Sequence, residues 1–194
     1  MIQIAITGNM GSGKTTVSQI FESLGVPVFY ADEEAKKLYK VHEIILKVKE
    51  IFGEDVFENN ILSFQKLSQL VFTNTVQLRK LETIIHPEVM KKFEQWTIEQ
   101  SEELIVVMEN AILFEGGFDK YFDVIILVTS PLEQRIDRII KRDGKTRDEI
   151  QQRMQFQWPE NQKAPFCQYH IVNDGKTSLL EQVMAMMNEL KEFS

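Results

Sequence analysis

A single cysteine, Cys167, stands among 194 residues. Neither an internal disulfide nor a thiolate metal cage can form, which suits a reducing compartment, and the simplest reading of Cys167 is a spare, semi-buried thiol. Positive charge is also short: 22 Lys and Arg against 29 Asp and Glu leave a net charge of −7. A broad nucleic-acid footprint is excluded on that balance, so any phosphate site must be local. The N-terminus has no basic region and no long apolar run before Ile2-Gln3-Ile4-Ala5-Ile6, which argues against export and membrane spanning and for a cytoplasmic protein. Repeats and low-complexity tracts are missing. What remains is the composition of a soluble globular chain, long enough for one domain with one or two insertions.

Ile2 to Ile6 is β-rich and too short for a helix. A glycine-rich loop follows, and then a helical pattern carrying Val17, Ile20, Phe21 and Leu24. Gly25 ends that helix, and Pro27 to Tyr30 predicts a second strand leading into Ala31-Asp32. A strand-helix-strand opening implies a parallel sheet. From Glu33 to about Gln100 the pattern turns mainly helical, with segments at 33–40, 42–52, 64–72 and 75–100, breaks at Gly53 and His86-Pro87, and no clear strand. So long a helical stretch between strands reads as an insertion beside the sheet, where a substrate could bind. Leu104 to Met108 and Val124 to Val128 are unbroken apolar runs, as central strands buried on both faces require. A helix over 132–141, a polar stretch from Arg142 to Lys163, a strand near His170 to Val172 and a last helix to Phe193 complete the chain.

Gly8-Asn9-Met10-Gly11-Ser12-Gly13-Lys14-Thr15 satisfies G-x-x-x-x-G-K-[ST] between a strand and a helix. Glycines let the backbone curl so that successive N–H groups and the helix N-terminus face phosphate oxygens. Lys14 is placed for the β and γ phosphates, Thr15 for Mg²⁺, and Thr16 for the α-phosphate. This loop predicts nucleotide binding without separating kinases from switches or mechanical ATPases. A guanine-nucleotide switch would add D-x-x-G and N-K-x-D, and neither is found.

Glu109, just after an apolar strand, could support Mg²⁺ through water or could be a solvated strand-end carboxylate. Asp32, just past the second strand, stands where a base for an attacking hydroxyl belongs, although a helix N-cap before Glu33 is the simpler reading and the two roles are compatible. Arg138, Lys141, Arg142, Lys145, Arg147, Arg153 and Lys163 form a local basic stretch near Gly144, suited to a hinged lid over polyphosphate. His86 reads as a packing or capping residue, and Trp96 and Trp158 as packing residues.

Together these residues resemble the dephospho-CoA kinase family along nearly the whole chain. The resemblance rests on Ile6-Thr7-Gly8 through Thr15-Thr16, Leu24-Gly25-Val26-Pro27 through Ala31-Asp32, Ile85-His86-Pro87, Ile112-Leu113-Phe114-Glu115, and Arg142-Asp143-Gly144 with Thr146-Arg147 leading to Asn173-Asp174-Gly175. It implies transfer of the ATP γ-phosphate to the ribose 3′-hydroxyl of dephospho-CoA, giving CoA and ADP with Mg²⁺. Asp32, Lys14 and Arg142 would then be catalytic. Gly8, Gly11, Ser12, Gly13, Lys14, Thr15, Thr16, Arg147, Asn173 and Gly175 would hold the nucleotide. His86, Pro87 and Glu115 would meet the acceptor, and Thr15 and Glu109 the metal. The sequence departs from the family at Tyr30, usually acidic, around Lys36 or Lys37, where the family usually has an arginine, at Ala111, usually proline, and at Cys167-Gln168, usually Ala-Asp.

The expected fold is therefore a three-layer α/β P-loop fold with a parallel sheet. The core is placed at 1–32, 101–142 and 166–194, a helical acceptor subdomain at 33–100 and a lid at 143–165. ATP and dephospho-CoA are the expected partners, with no nucleic acid and no membrane; the oligomeric state is open and a monomer favoured. The rival readings are a nucleoside monophosphate-like kinase and a partner-driven regulatory ATPase.

Overall fold

The structure is a computed structural model and describes residues 1–192. In chain order its elements are β1 (Ile2–Thr7), α1 (Lys14–Ser23), β2 (Val28–Tyr30), α2 (Ala31–Leu38), α3 (His42–Phe52), β3 (Phe57–Glu58), β4 (Ile61–Leu62), α4 (Phe64–Val71), α5 (Thr75–Glu99), β5 (Ile105–Glu109), β6 (Val124–Thr129), α6 (Leu132–Asp143), α7 (Arg147–Met154), α8 (Glu160–Lys163), β7 (Tyr169–Val172) and α9 (Leu179–Glu192). The expected end of the last helix at Phe193 lies outside the described residues.

The chain divides into two compact units, one of residues 1–30 with 99–194 and one of residues 31–98. The first is built on a five-stranded sheet in the order β2-β5-β1-β6-β7, every neighbouring pair parallel. Ile4 and Ile6 of β1, Val107 of β5, Ile126 and Val128 of β6 and Ile171 of β7 point alternately to one face. There they pack with Val17 and Phe21 of α1 and Val183, Met186 and Leu190 of α9. Each such side chain, taken fully out of water, contributes about 1.5–3 kcal/mol before the entropy of ordering is charged. Val106, Met108, Ile125 and Leu127, between these positions, are buried as well, which explains why the central strands read as continuous apolar runs rather than alternating ones.

Because all five strands run the same way, their carboxyl ends share one edge. In register, Ile6 stands beside Glu109 and Tyr30 beside Glu109 on its other side, while Thr129 stands beside Val172. The strand after the expected apolar run is shifted by one residue: Leu104 is 80% exposed and Glu109 is the strand's last residue rather than the first beyond it.

The second unit is helical, with two differences from expectation. Asn59 and Asn60 take left-handed backbone (φ 49° and 63°) and turn the chain into a short antiparallel hairpin, β3 with β4, where no strand was expected. Such a pair of positive-φ residues is what a tight hairpin turn demands, and Asn tolerates it better than most residues. Helix α5 also continues through His86-Pro87 instead of breaking there. Proline costs a helix interior about 3 kcal/mol. Leu81, Ile84, Ile85, Val89, Met90 and Phe93 are all buried along this helix, enough apolar surface on both sides of Pro87 to outweigh that cost. Pro87 itself is exposed.

Candidate active site

The phosphate loop leaves β1 at Gly8 and closes on α1, whose first residue is Lys14. Its curl depends on glycine at Gly11 and Gly13, with φ of 78° and 96°. A Cβ on Gly11 would sit 2.6 Å from the Arg135 carbonyl oxygen, and one on Gly13 would collide with the Asn173 amide. Both positions therefore exclude side chains by space as well as by backbone angle. Lys14 is buried, and Thr15 and Thr16 are exposed at the start of the helix. The Thr15 hydroxyl donates to Glu109 Oε1 at 3.1 Å, joining loop and β5 across the carboxyl edge.

Behind the loop stands a polar scaffold. Arg138 of α6 donates to the carbonyls of Gly11 (3.1 Å) and Ser12 (3.5 Å), to Ser130 Oγ (3.0 Å), and to both the backbone and side-chain oxygens of Asn173 (3.3 Å each). The Asn173 amide in turn donates to the Ser12 carbonyl at 2.8 Å. Carbonyls tied down on the outside leave the neighbouring N–H groups facing inward, the arrangement an anion requires. Arg135, 6% exposed, donates through Nε to the Met10 carbonyl at 3.1 Å and pairs with Glu160 at 2.9 Å. Burial lowers the Arg135 pKa and raises that of Glu160, each opposed by the charge of the other.

A second layer comes from residues 157–163. Gln157 accepts from the Met10 N–H at 2.8 Å and donates to the Ala111 carbonyl at 3.1 Å. Asn9 donates to the Trp158 carbonyl at 3.2 Å. Glu115 Oε1 accepts from the Trp158 N–H at 2.6 Å and forms an ion pair with Lys163 Nζ at 2.9 Å, with side-chain exposures of 5% and 0%. Trp158 stacks on Phe114 at 6.0 Å.

The expected residues do not all fall together. Gly8, Gly11, Ser12, Gly13, Lys14, Thr15, Thr16, Glu109 and Asn173 converge at the carboxyl edge of the sheet. Gly175 lies just beyond Asn173, in an exposed turn where Asp174 accepts from the N–H groups of Lys176 and Thr177. Arg142 and Arg147 are exposed and held by single carboxylates, Asp143 (2.7 and 3.0 Å) and Glu133 (2.6 and 2.8 Å). Glu115 is engaged inside the protein as described. In the helical unit, Asp32 lies exposed in the first turn of α2 rather than capping it, because the helix already begins at Ala31. His86 is partly buried in α5, where desolvation, aided by the Arg79 charge, lowers its pKa to about 4 and keeps it neutral at pH 7. Sequence reasoning missed Gln157, Arg135 and Glu160 and counted Arg138 and Lys163 among lid charges.

A glycine-turned phosphate loop at the carboxyl edge of an all-parallel sheet, with an acidic residue at the neighbouring strand end, defines a P-loop kinase fold. The same fold is seen in shikimate kinase from Acinetobacter baumannii, at 17% identity and a TM-score of 0.56, over 100% of this chain and 95% of that one. The family model for dephospho-CoA kinase matches residues 2–178, and the chain belongs to that family. A dephospho-CoA kinase from Bacteroides fragilis is 36% identical over 96% of this chain and 91% of its own. A crystal structure from Thermus thermophilus superposes with a TM-score of 0.84 at 34% identity, covering 100% of this chain and 98% of the other. The protein is accordingly an ATP-dependent phosphotransferase. Among the described residues no helix is long and apolar enough to cross a membrane.

Proposed function

We propose that this chain transfers the γ-phosphate of ATP to the ribose 3′-hydroxyl of dephospho-CoA in the cytoplasm, giving CoA and ADP. The observation that carries this is the formed phosphate loop, with Thr15 engaged by Glu109, inside a chain matched by the family over 2–178. The N–H groups of Gly11 to Thr15 and the Lys14 ammonium hold the phosphates, and Arg142 neutralises charge on the group in transit. Exposed Arg142 can leave Asp143 for a polyphosphate at little cost, since such surface pairs contribute little to stability.

Thr15 and Glu109 supply hard oxygen donors suited to Mg²⁺, and among the described residues no group of three acidic, histidine or cysteine side chains offers a protein cage. This fits an ion that keeps water and phosphate oxygens as its other ligands. When bound, Mg²⁺ would supply charge neutralisation at the β and γ phosphates. Asp32, two residues past the carboxyl end of β2, orients the attacking hydroxyl and accepts its proton. The helical unit, with His86 and Pro87, takes the acceptor, and of the expected lid 143–165 the part before Gln157, with Arg147, closes over the nucleotide.

The test is purified protein with Mg-ATP and dephospho-CoA, AMP, CMP, dTMP, shikimate or no acceptor, following ADP and product mass. Phosphate added to dephospho-CoA alone supports the reading. Another phosphorylated acceptor overturns the substrate, and equal ADP release without acceptor overturns the transferase. Asp32→Asn is expected to lower kcat by roughly 10²–10⁴-fold with ATP binding retained; near-normal turnover in folded protein removes Asp32 from its role.

A further inference from the structure

The outer turn of the phosphate loop, Asn9-Met10, is fixed by side chains from far along the chain. The Met10 peptide is gripped at both ends, its N–H by Gln157 (2.8 Å) and its carbonyl by Arg135 (3.1 Å). The Gln157 carboxamide spends its other end on the Ala111 carbonyl, just past β5 (3.1 Å). One planar group thereby spans the loop leaving β1 and the turn leaving β5. We propose that Gln157 is a positioning residue for phosphoryl transfer, its carboxamide setting the height of the phosphate loop against the end of β5, where Glu109 meets Thr15.

Three features make this bridge rigid. Asn9 is tied to the Trp158 carbonyl, so the residue after Gln157 holds the same turn. Trp158 is anchored in its turn by the buried Glu115–Lys163 pair and by stacking on Phe114. Arg135 links the Met10 carbonyl to Glu160, closing a ring from loop to segment and back. By contrast, Arg142 and Arg147 find their carboxylate partners at the surface. Residues 157–163 therefore belong to the fixed frame of the site rather than to a closing lid. A small displacement of reacting groups lowers turnover strongly while leaving binding largely intact, and this is the signature expected of Gln157.

The inference rests on the phosphotransfer reading, so wild-type activity on dephospho-CoA is measured first. Gln157→Glu keeps an acceptor for the Met10 N–H, but its carboxylate cannot donate to the Ala111 carbonyl; once protonated, it can. At pH 8.5 this variant should lose about tenfold in kcat with KM values within threefold and an unchanged melting temperature. Its activity relative to wild type should begin to recover only as pH falls toward 4.5, where a carboxyl of ordinary pKa, about 4.3, takes up its proton. Gln157→Met, similar in size and unable to make either bond, should lose turnover at every pH without recovery. The inference is overturned if both variants keep kcat within twofold. It is also overturned if the Gln157→Glu profile runs parallel to wild type, or if activity falls only in step with melting temperature. If wild type leaves dephospho-CoA unphosphorylated, the functional reading fails. The bridge is then judged by amide hydrogen exchange in the phosphate loop, which Gln157→Met should speed at Met10 while the ATP-induced thermal shift stays constant; unchanged exchange at Met10 overturns it.

Discussion

Helix α6 and the segment after it carry two kinds of arginine. Toward the N-terminal half, Arg135 and Arg138 donate to backbone carbonyls of Met10, Gly11 and Ser12. At the far end and just beyond Gly144, Arg142 and Arg147 face single carboxylates, with side-chain exposures of 67% and 48%. The residue type is the same and the chemistry available to it is not. A buried or half-buried guanidinium bound to several acceptors cannot leave without orphaning them, whereas an exposed ion pair exchanges one anion for another almost freely. Partner and burial therefore assign the first pair to shaping the phosphate loop and leave the second pair able to change partners when a polyphosphate arrives.

The comparison breaks first at Arg138. Arg138→Ala should cost about 2–3 kcal/mol of stability, through the acceptors it strands at Gly11 and Asn173, while Ser12 keeps its bond from the Asn173 amide. It should also lower kcat/KM by roughly 10²–10³-fold, since the loop loses its shape. Urea unfolding alongside kinetics checks both, and a variant as stable as wild type would put Arg138 with the exposed pair. Arg142→Ala should show the opposite split, a fall of about 10²-fold in kcat with the melting temperature within about 2 °C. If stability falls as well, its pair with Asp143 is structural.

The helical unit gives a smaller effect, seen in acid. His86 has its pKa lowered to about 4 from 6.5 by burial and by Arg79. Between those values the unfolded chain binds a proton that the folded chain refuses, so stability is present above pH 6.5 and is lost as pH falls toward 4. The loss should be about 1–2 kcal/mol once partial solvent access is allowed for. His86→Gln should remove that part of the slope in urea midpoints taken at pH 7 and 4.5; equal slopes for variant and wild type would reject it.

The contrast within the basic stretch also marks what the sequence could convey. Strands, helices and the phosphate loop follow from local pattern: Ile2 to Ile6 as a β-rich run, Val17 and Phe21 on one helical face, glycines where φ is positive. Gln157, Arg135 and Arg138 act over separations of 125 to 147 residues, largely on backbone carbonyls and N–H groups. A carbonyl has no residue identity, so nothing in the sequence marks it as a partner. Glu115 and Lys163 illustrate the same limit, because motif position suggested acceptor contact and lid charge while folding joined them as a buried pair. The hairpin at Asn59-Asn60 went unread because its two-residue strands are too short to show alternation. Pro87 marked a break that the buried face of α5 overrode.

Arg147 offers the finest test of the comparison. Its bidentate partner Glu133 lies on the solvent face of α6, and each group moves the other's pKa toward the charged form, as an ion pair must. If this pair is a resting arrangement that opens when nucleotide binds, Glu133 competes with phosphate for the guanidinium. Removing the competitor and removing the arginine should then have opposite signs: Glu133→Gln lowers the KM for ATP by up to about twofold, and Arg147→Ala raises it about two- to fivefold. The melting temperature should move little in either, and both effects should shrink in high salt. Should the two variants raise KM together, the pair holds α7 in place as structure, and Arg147 belongs with Arg135 and Arg138 despite its exposure.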